Sequence, residues 1–151
     1  MIKDSGERRS FTTGAVRDIQ EGKGRPTLMP LQVAARLMDS LTEKDYVIEE
    51  LAWFMQYRTT ANLYHALTAF AAFAYGYSTE TMLLEVSKHF EEGARKYGDH
   101  NWQKGIPVEC YMDSAIRHYL KFKRGDRDEP HAAAFVWNVM CCIWEVDYHH
   151  D

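Results

Sequence analysis

The chain has few of the features that announce a function outright. Its cysteines number three, Cys110, Cys141 and Cys142. The odd count, an adjacent pair that seldom bridges and the lack of metal-site spacing argue against a disulfide framework or a thiolate metal centre, and a reducing cytosol fits best. No basic region followed by an apolar run and a small-residue cleavage site opens the chain, so secretion is not expected. The most apolar segment, residues 61–77, is interrupted by Asn62 and His65 and falls short of the ~20 apolar residues that span a bilayer, so a membrane is not an expected partner. Charge of one sign is scarce as well. A net charge of −4 gives no general attraction to nucleic acid, and anions must be bound by a local basic cluster. No convincing strand pattern and no internal repeat is legible, and the phosphate-loop spacing GxxxxGK[ST] is absent.

What is present reads as one helical domain. A length of 151 residues, 46% hydrophobic and 26% charged, suits a single soluble body with a real core. Residues 1–30 hold Gly6, Gly14, Gly22, Gly24, Pro26 and Pro30, a density that prevents a long helix and predicts an irregular arm or lid. From residue 31 onward the pattern predicts an all-α, compact bundle of about five to six helices, over 31–41, 43–57, 61–75, 79–97, 108–123 and 131–147. Thr42 with Asp45 resembles a weak capping box, Ser78 can cap its helix, Gly98 suits a helix end, and Pro107 and Pro130 fit first helical turns.

Polar residues gather in the last part of the chain, in blocks that mix carboxylates and imidazoles with aromatic and small residues. Glu85, His89 and Glu92 stand at i, i+4 and i+7, a stripe of potential metal ligands or equally a solvated face. Lys96, Asn101 and Trp102 follow, a lysine, an amide and an aromatic ring suited to phosphate and base recognition, although Trp102 could simply close the core. On the next helix Asp113 and Arg117 can pair, with His118 adjacent. His131 and Asn138, seven apart, share a face of the last helix, and Asp128 and Glu129 before it could cap it, hold a divalent cation, or both. In the arm, Arg17, Lys23 and Arg25, with Arg8 and Arg9, sit among glycines and could wrap a polyphosphate or form a basic tail.

Four segments carry a resemblance: TTGAVRDIQEGKGRPTLMP from Thr12, HFEEGARKYGDHNWQKGIP from His89, YMDSAIRHYLKF from Tyr111 and GDRDEPHAAAFVWN from Gly125. Their order resembles the phage and prophage family described as the dATP/dGTP diphosphohydrolase N-terminal domain, over residues 11–30 and 87–140. Residues 36–80 fall outside that likeness and read as a possible insertion in the 31–151 domain. The resemblance implies an all-α protein of purine deoxynucleotide metabolism in a host cytoplasm, cleaving a nucleoside triphosphate to a monophosphate and pyrophosphate with Mg²⁺ or Mn²⁺. The ExxE and ExxD pairs of MazG-like pyrophosphohydrolases are not evident, and the only His-Asp doublet is His150 and Asp151. The expectation is therefore a metal-dependent hydrolase of purine nucleotides. Glu92, Asp113 and Glu129 would hold the cation, with His118 and His131 as ligands or proton-transfer groups. Arg17, Lys23, Arg25, Lys96, Asn101, Trp102, Arg117 and Asn138 would bind substrate. Glu92, Asp113, His118 and His131 are expected to converge, and alanine at Arg17, Lys23 and Arg25 to weaken binding without unfolding the domain. A non-catalytic nucleotide-sensing or assembly domain is the alternative. The apolar residues from Tyr46 to Tyr77 predict a homo-oligomer.

Overall fold

The computed structural model describes residues 4–39 and 44–149. Six helices dominate: α1 (Leu31–Met38), α2 (Tyr46–Tyr57), α3 (Thr60–Ala74), α4 (Thr79–Tyr97), α5 (Val108–Arg124) and α6 (His131–Asp147). The bounds follow local chemistry. Ser78 caps α4 by accepting the Thr81 N–H at 3.1 Å, and the helix carries Glu80 in its first turn and Arg95 and Lys96 in its last, as the helix dipole favours. Gly125 ends α5 in the left-handed conformation (φ 92°, ψ 16°) that glycine adopts without a Cβ penalty, its N–H returned to Lys121 and Phe122 carbonyls.

Helix α2 starts later than its pattern suggested. Asp45 is its N-cap, accepting the Ile48 N–H at 3.1 Å and the Tyr119 hydroxyl at 2.8 and 2.9 Å. Asp45 is thus the cap itself rather than the far member of a capping box; Thr42 lies outside the described residues, as do His150 and Asp151.

The core is a continuous cluster running from Ala15 through α1–α6 to Ile143. Its aromatic centre is Phe70 of α3, whose ring lies 4.6 Å from Phe135, 5.2 Å from Phe122 and 6.0 Å from Tyr119, edge and tilted packings that aromatic quadrupoles favour. Helices α5 and α6 pack along each other, α4 and α3 lie against α6, and α2 joins α3 to α1. Much of the middle segment turns inward. Leu51, Phe54, Leu63, Leu67 and Phe70 are buried in the chain's own core, while Trp53, Tyr57, Tyr64 and Phe73 stay 46–58% exposed.

The arm departs from expectation, because it contains strands. β1 (Arg8–Ser10) pairs antiparallel with β2 (Val16–Asp18), Arg9 opposite Arg17. Strands of three residues offer no alternation long enough to read. They are held by what they dock on: Ala15 is fully buried, and the segment continues through a 3₁₀ turn, Pro26–Leu28, laid against α5.

Candidate active site

A cleft of about 630 Å³ lies between the arm hairpin and the facing sides of α4, α5 and α6, within the size range of small-molecule sites. On α5 its wall is a helical stripe, Cys110, Ser114, Arg117, His118 and Lys121; on α4 it is His89, Gly93 and Tyr97. These spacings, three, four and seven residues, put each set on one face. Arg9, Arg17 and Lys23 enter from the arm, and Glu129, Trp137 and Asn138 from the α6 side.

The arm is latched by side chains distant in sequence. Both oxygens of Asp113 are taken: Thr27 donates from its N–H and hydroxyl at 2.8 and 2.5 Å, and Gln20 Nε2 and Arg25 Nε donate at 2.9 and 3.2 Å. Burial would raise this carboxyl, yet those donors, Thr27 foremost, hold it below its usual range. Asn101 clasps β2 by a two-bond amide bridge, accepting from the Val16 N–H at 3.0 Å and donating to the Val16 carbonyl at 2.9 Å. Thr13 donates to the Gly105 carbonyl at 2.5 Å.

Arg17 lies between two rings, its guanidinium 5.3 Å from the Tyr111 centroid and 5.5 Å from that of Trp137. Its Nη2 donates to Asn138 Oδ1 at 3.1 Å, and Asn138 is fixed in turn by donating to the Ala134 carbonyl at 2.8 Å. Arg17 Nη1, the Tyr111 hydroxyl and Trp137 Nε1 are buried with no hydrogen-bond partner among the described residues. Buried donors left unmatched are costly; Arg17 and Trp137 stand in the cleft wall, whereas Tyr111 lies behind it. Arg117 donates to the Gly24 carbonyl at 2.5 Å, and burial lowers its pKa.

At the α5–α6 end, two imidazoles face each other. His118 Nδ1 and His131 Nδ1 are 2.9 Å apart, and Glu129 Oε1 lies 3.9 Å from His118 Nδ1. His131 is buried, and its Nε2 meets Asp128 Oδ1 at 2.7 Å. Ligand atoms of His118, Glu129 and His131 all lie within 4.8 Å of one another. Burial first, and His131 second, push His118 down to about 2, so the ring is neutral near pH 7 and has a lone pair to offer. One carboxylate with two imidazoles suits Mn²⁺ better than Mg²⁺, which prefers all-oxygen octahedra.

Of the residues singled out in the sequence, the structure brings His118, His131 and Glu129 together and lines the same cleft with Arg17, Lys23, Asn101, Arg117 and Asn138. Others go elsewhere. Asp113 does not fit the cation set, because its oxygens are already spent on the arm; Arg25 is its partner rather than a free phosphate ligand. Trp102 faces away, packed against Phe90 and Trp144 with centroids 6.1 and 5.1 Å off, in a separate apolar groove. Lys96 lies 3.8 Å from Asp4, Glu85 pairs with Lys88 at 3.3 Å, and neither Glu92 nor Lys96 lines the cleft. Asn101 and Asn138 touch the cleft, but their amides are bonded to the protein. Sequence reasoning left out Lys121 and Gly93, although Lys121 stands four residues past Arg117 and Gly93 four past His89, the helical repeat that would have found them.

A family model described as dATP/dGTP diphosphohydrolase, N-terminal, matches residues 59–150. The match spans α3 to α6, so it includes residues 59–80, which lay outside the sequence likeness, and leaves out the arm. No curated protein and no solved structure matches the chain.

Proposed function

Because the chain belongs to the dATP/dGTP diphosphohydrolase N-terminal family, we propose that its cleft binds a purine deoxynucleoside triphosphate and hydrolyses it. The observation that carries the reading is the union, in one cleft, of five cationic side chains (Arg9, Arg17, Lys23, Arg117 and Lys121) with His118 and Glu129. Arginine and lysine in a partly desolvated cleft neutralise phosphate charge and favour the further charge that develops during phosphoryl cleavage. Arg17 Nη1 and Trp137 Nε1, without partners among the described residues and belonging to cleft-lining side chains, can add directed hydrogen bonds to that field. Tyr97 and Trp137 also line the cleft, Tyr97 beneath the Arg8 guanidinium and Trp137 beside that of Arg17.

A cation such as Mn²⁺, held by Glu129, His118 and His131, would polarise a phosphoryl oxygen. Held neutral, His118 serves as a lone-pair donor rather than as an acid near pH 7. Asp128 fixes the tautomer of His131 by taking its Nε2–H. Arg117, braced by the Gly24 carbonyl, is oriented before substrate arrives, which spares the ordering cost at binding.

The test is to incubate the protein with dATP, dGTP and their ribose counterparts in the presence of Mn²⁺ or Mg²⁺ and to separate released pyrophosphate from released phosphate. Pyrophosphate with dATP or dGTP, lost in Arg117→Ala, supports the reading; neither binding nor release overturns it. Tight binding without turnover selects a nucleotide-sensing domain instead, a reading favoured by the family description, which names an N-terminal domain.

A further inference from the structure

We propose that His118, His131 and Glu129 form a site selective for a first-row transition-metal dication, of the Mn²⁺, Fe²⁺, Co²⁺ and Zn²⁺ class, over Mg²⁺. The inference rests on the proposed function for the ion's purpose, as the partner of a bound nucleotide's phosphates, but the coordination argument is separate.

The first support is spacing. Ligands about 2.1 Å from a metal are about 3.0 Å apart when cis in an octahedron and about 3.4 Å apart in a tetrahedron. The two Nδ1 atoms, 2.9 Å apart, have the cis spacing already, and Glu129 Oε1 stands 3.9 Å from His118 Nδ1, with ligand atoms of all three residues within 4.8 Å of one another, so a side-chain adjustment at Glu129 would complete a face.

The second support is the tautomer. Asp128 Oδ1 accepts from His131 Nε2 at 2.7 Å, a bond that places a ring hydrogen on Nε2 and turns Nδ1 toward His118. A carboxylate on the far nitrogen of a ligating histidine is the usual outer partner in histidine metal sites, where it fixes the ring and raises its basicity. Across the 2.9 Å contact His118 Nδ1 is then the donor, and a metal ion would take that hydrogen's place, the proton passing to His118 Nε2 so that both Nδ1 lone pairs and the carboxylate beside them form the donor set.

The third support is access. His118 and Glu129 open on the cleft, whereas His131 is sealed behind them, so an ion held here keeps open coordination positions toward the cleft. The neighbouring group of Asp126, Asp128 and His131 is the weaker candidate, because Asp126 is engaged by Arg124 at 2.8 and 2.5 Å.

The experiment is metal titration of the full chain without nucleotide. Calorimetry is expected to find one Mn²⁺ or Co²⁺ per chain, bound at least tenfold more tightly than Mg²⁺, with Co²⁺ giving visible d–d absorption bands. Glu129→Gln and His118→Gln, each confirmed as folded by circular dichroism, are expected to weaken Co²⁺ binding more than tenfold and alter the bands; Asp126→Asn is expected to leave both unchanged. Equal affinity for Mg²⁺ and Mn²⁺, absence of Co²⁺ bands, or a loss confined to Asp126→Asn would overturn the proposal. Should one glutamine variant fail to fold, the other decides. Metal bound as expected but no nucleotide bound would remove the proposed function and leave the metal site standing. Nucleotide bound with no preference among cations would do the reverse.

Discussion

Single side chains carry two expectations that ordinary denaturation measurements check. Asp113 is fully buried with four donors on its carboxylate. Replacing it by alanine strands the Thr27 and Gln20 donors, and a loss of about 2–4 kcal/mol in urea unfolding is expected, with weaker nucleotide binding as the arm loosens. The same latch revises the view that the arm's cations can be removed at no cost. Arg25→Ala belongs with Asp113 as a destabilising change, whereas Lys23, paired with Asp18 near the surface, does not. The second expectation concerns His89, which burial pushes down to about 4, against a smaller opposing pull from Glu92. The folded ring stays neutral while the unfolded ring takes up a proton below about 6.5, so stability rises with pH between about 4 and 6.5 and is lost as pH falls through that window. His118 shifts in the same sense. His89→Gln should flatten the acid limb of the stability profile by up to about 1.4 kcal/mol per pH unit; an unchanged slope would mean that His89 protonates without penalty.

At the level of elements, two glycines behave oppositely. Gly93 sits mid-helix in α4 with no atom within 4 Å of the position its Cβ would take, so packing gives no reason for the roughly 1 kcal/mol that glycine costs a helix relative to alanine. What its bare backbone faces is the cleft. Gly93→Ala should therefore raise the melting temperature while weakening nucleotide binding; a variant that is more stable and binds equally well would show that no ligand passes close to this turn. Gly105 has φ +110°, and an added Cβ would come within 2.6 Å of His149 and 3.0 Å of Thr13. Gly105→Ala should destabilise by more than about 1 kcal/mol, read in thermal unfolding. Helix elements were the most legible part of the sequence, since α4 and α6 begin and end where Ser78, Gly98 and Pro130 mark them. The hairpin was not legible, because its three-residue strands depend on Asn101, Asn138 and Ala15's burial rather than on a local pattern.

For the whole molecule, the site was half legible for the same reason. His118 of α5, Glu129 of the short link and His131 of α6 lie within 14 positions of one another, so proximity could be anticipated from sequence. That Asp113 turns away from His118 toward the arm, and that Trp102 belongs to a different groove, depends on which neighbours fill each face, which a single helix does not encode. The half-exposed Trp53, Tyr57, Tyr64 and Phe73, with Trp53 and Tyr57 stacked at 5.3 Å, are the surface on which the proposal of self-association is tested. Light scattering at micromolar concentration should return more than 17.6 kDa, and Trp53→Gln with Tyr57→Gln should reduce it to a monomer; a wild-type monomer would end the idea. The arm's clasps have one more consequence, in time rather than in space. Val16 waits for Asn101, Thr27 for Asp113 and Arg17 for Asn138, separations of 85, 86 and 121 residues. During synthesis the first wall of the cleft is made well before its partners and cannot be fully docked until α5 and then α6 have emerged, so a fragment cut before α6 lacks one wall of the cleft.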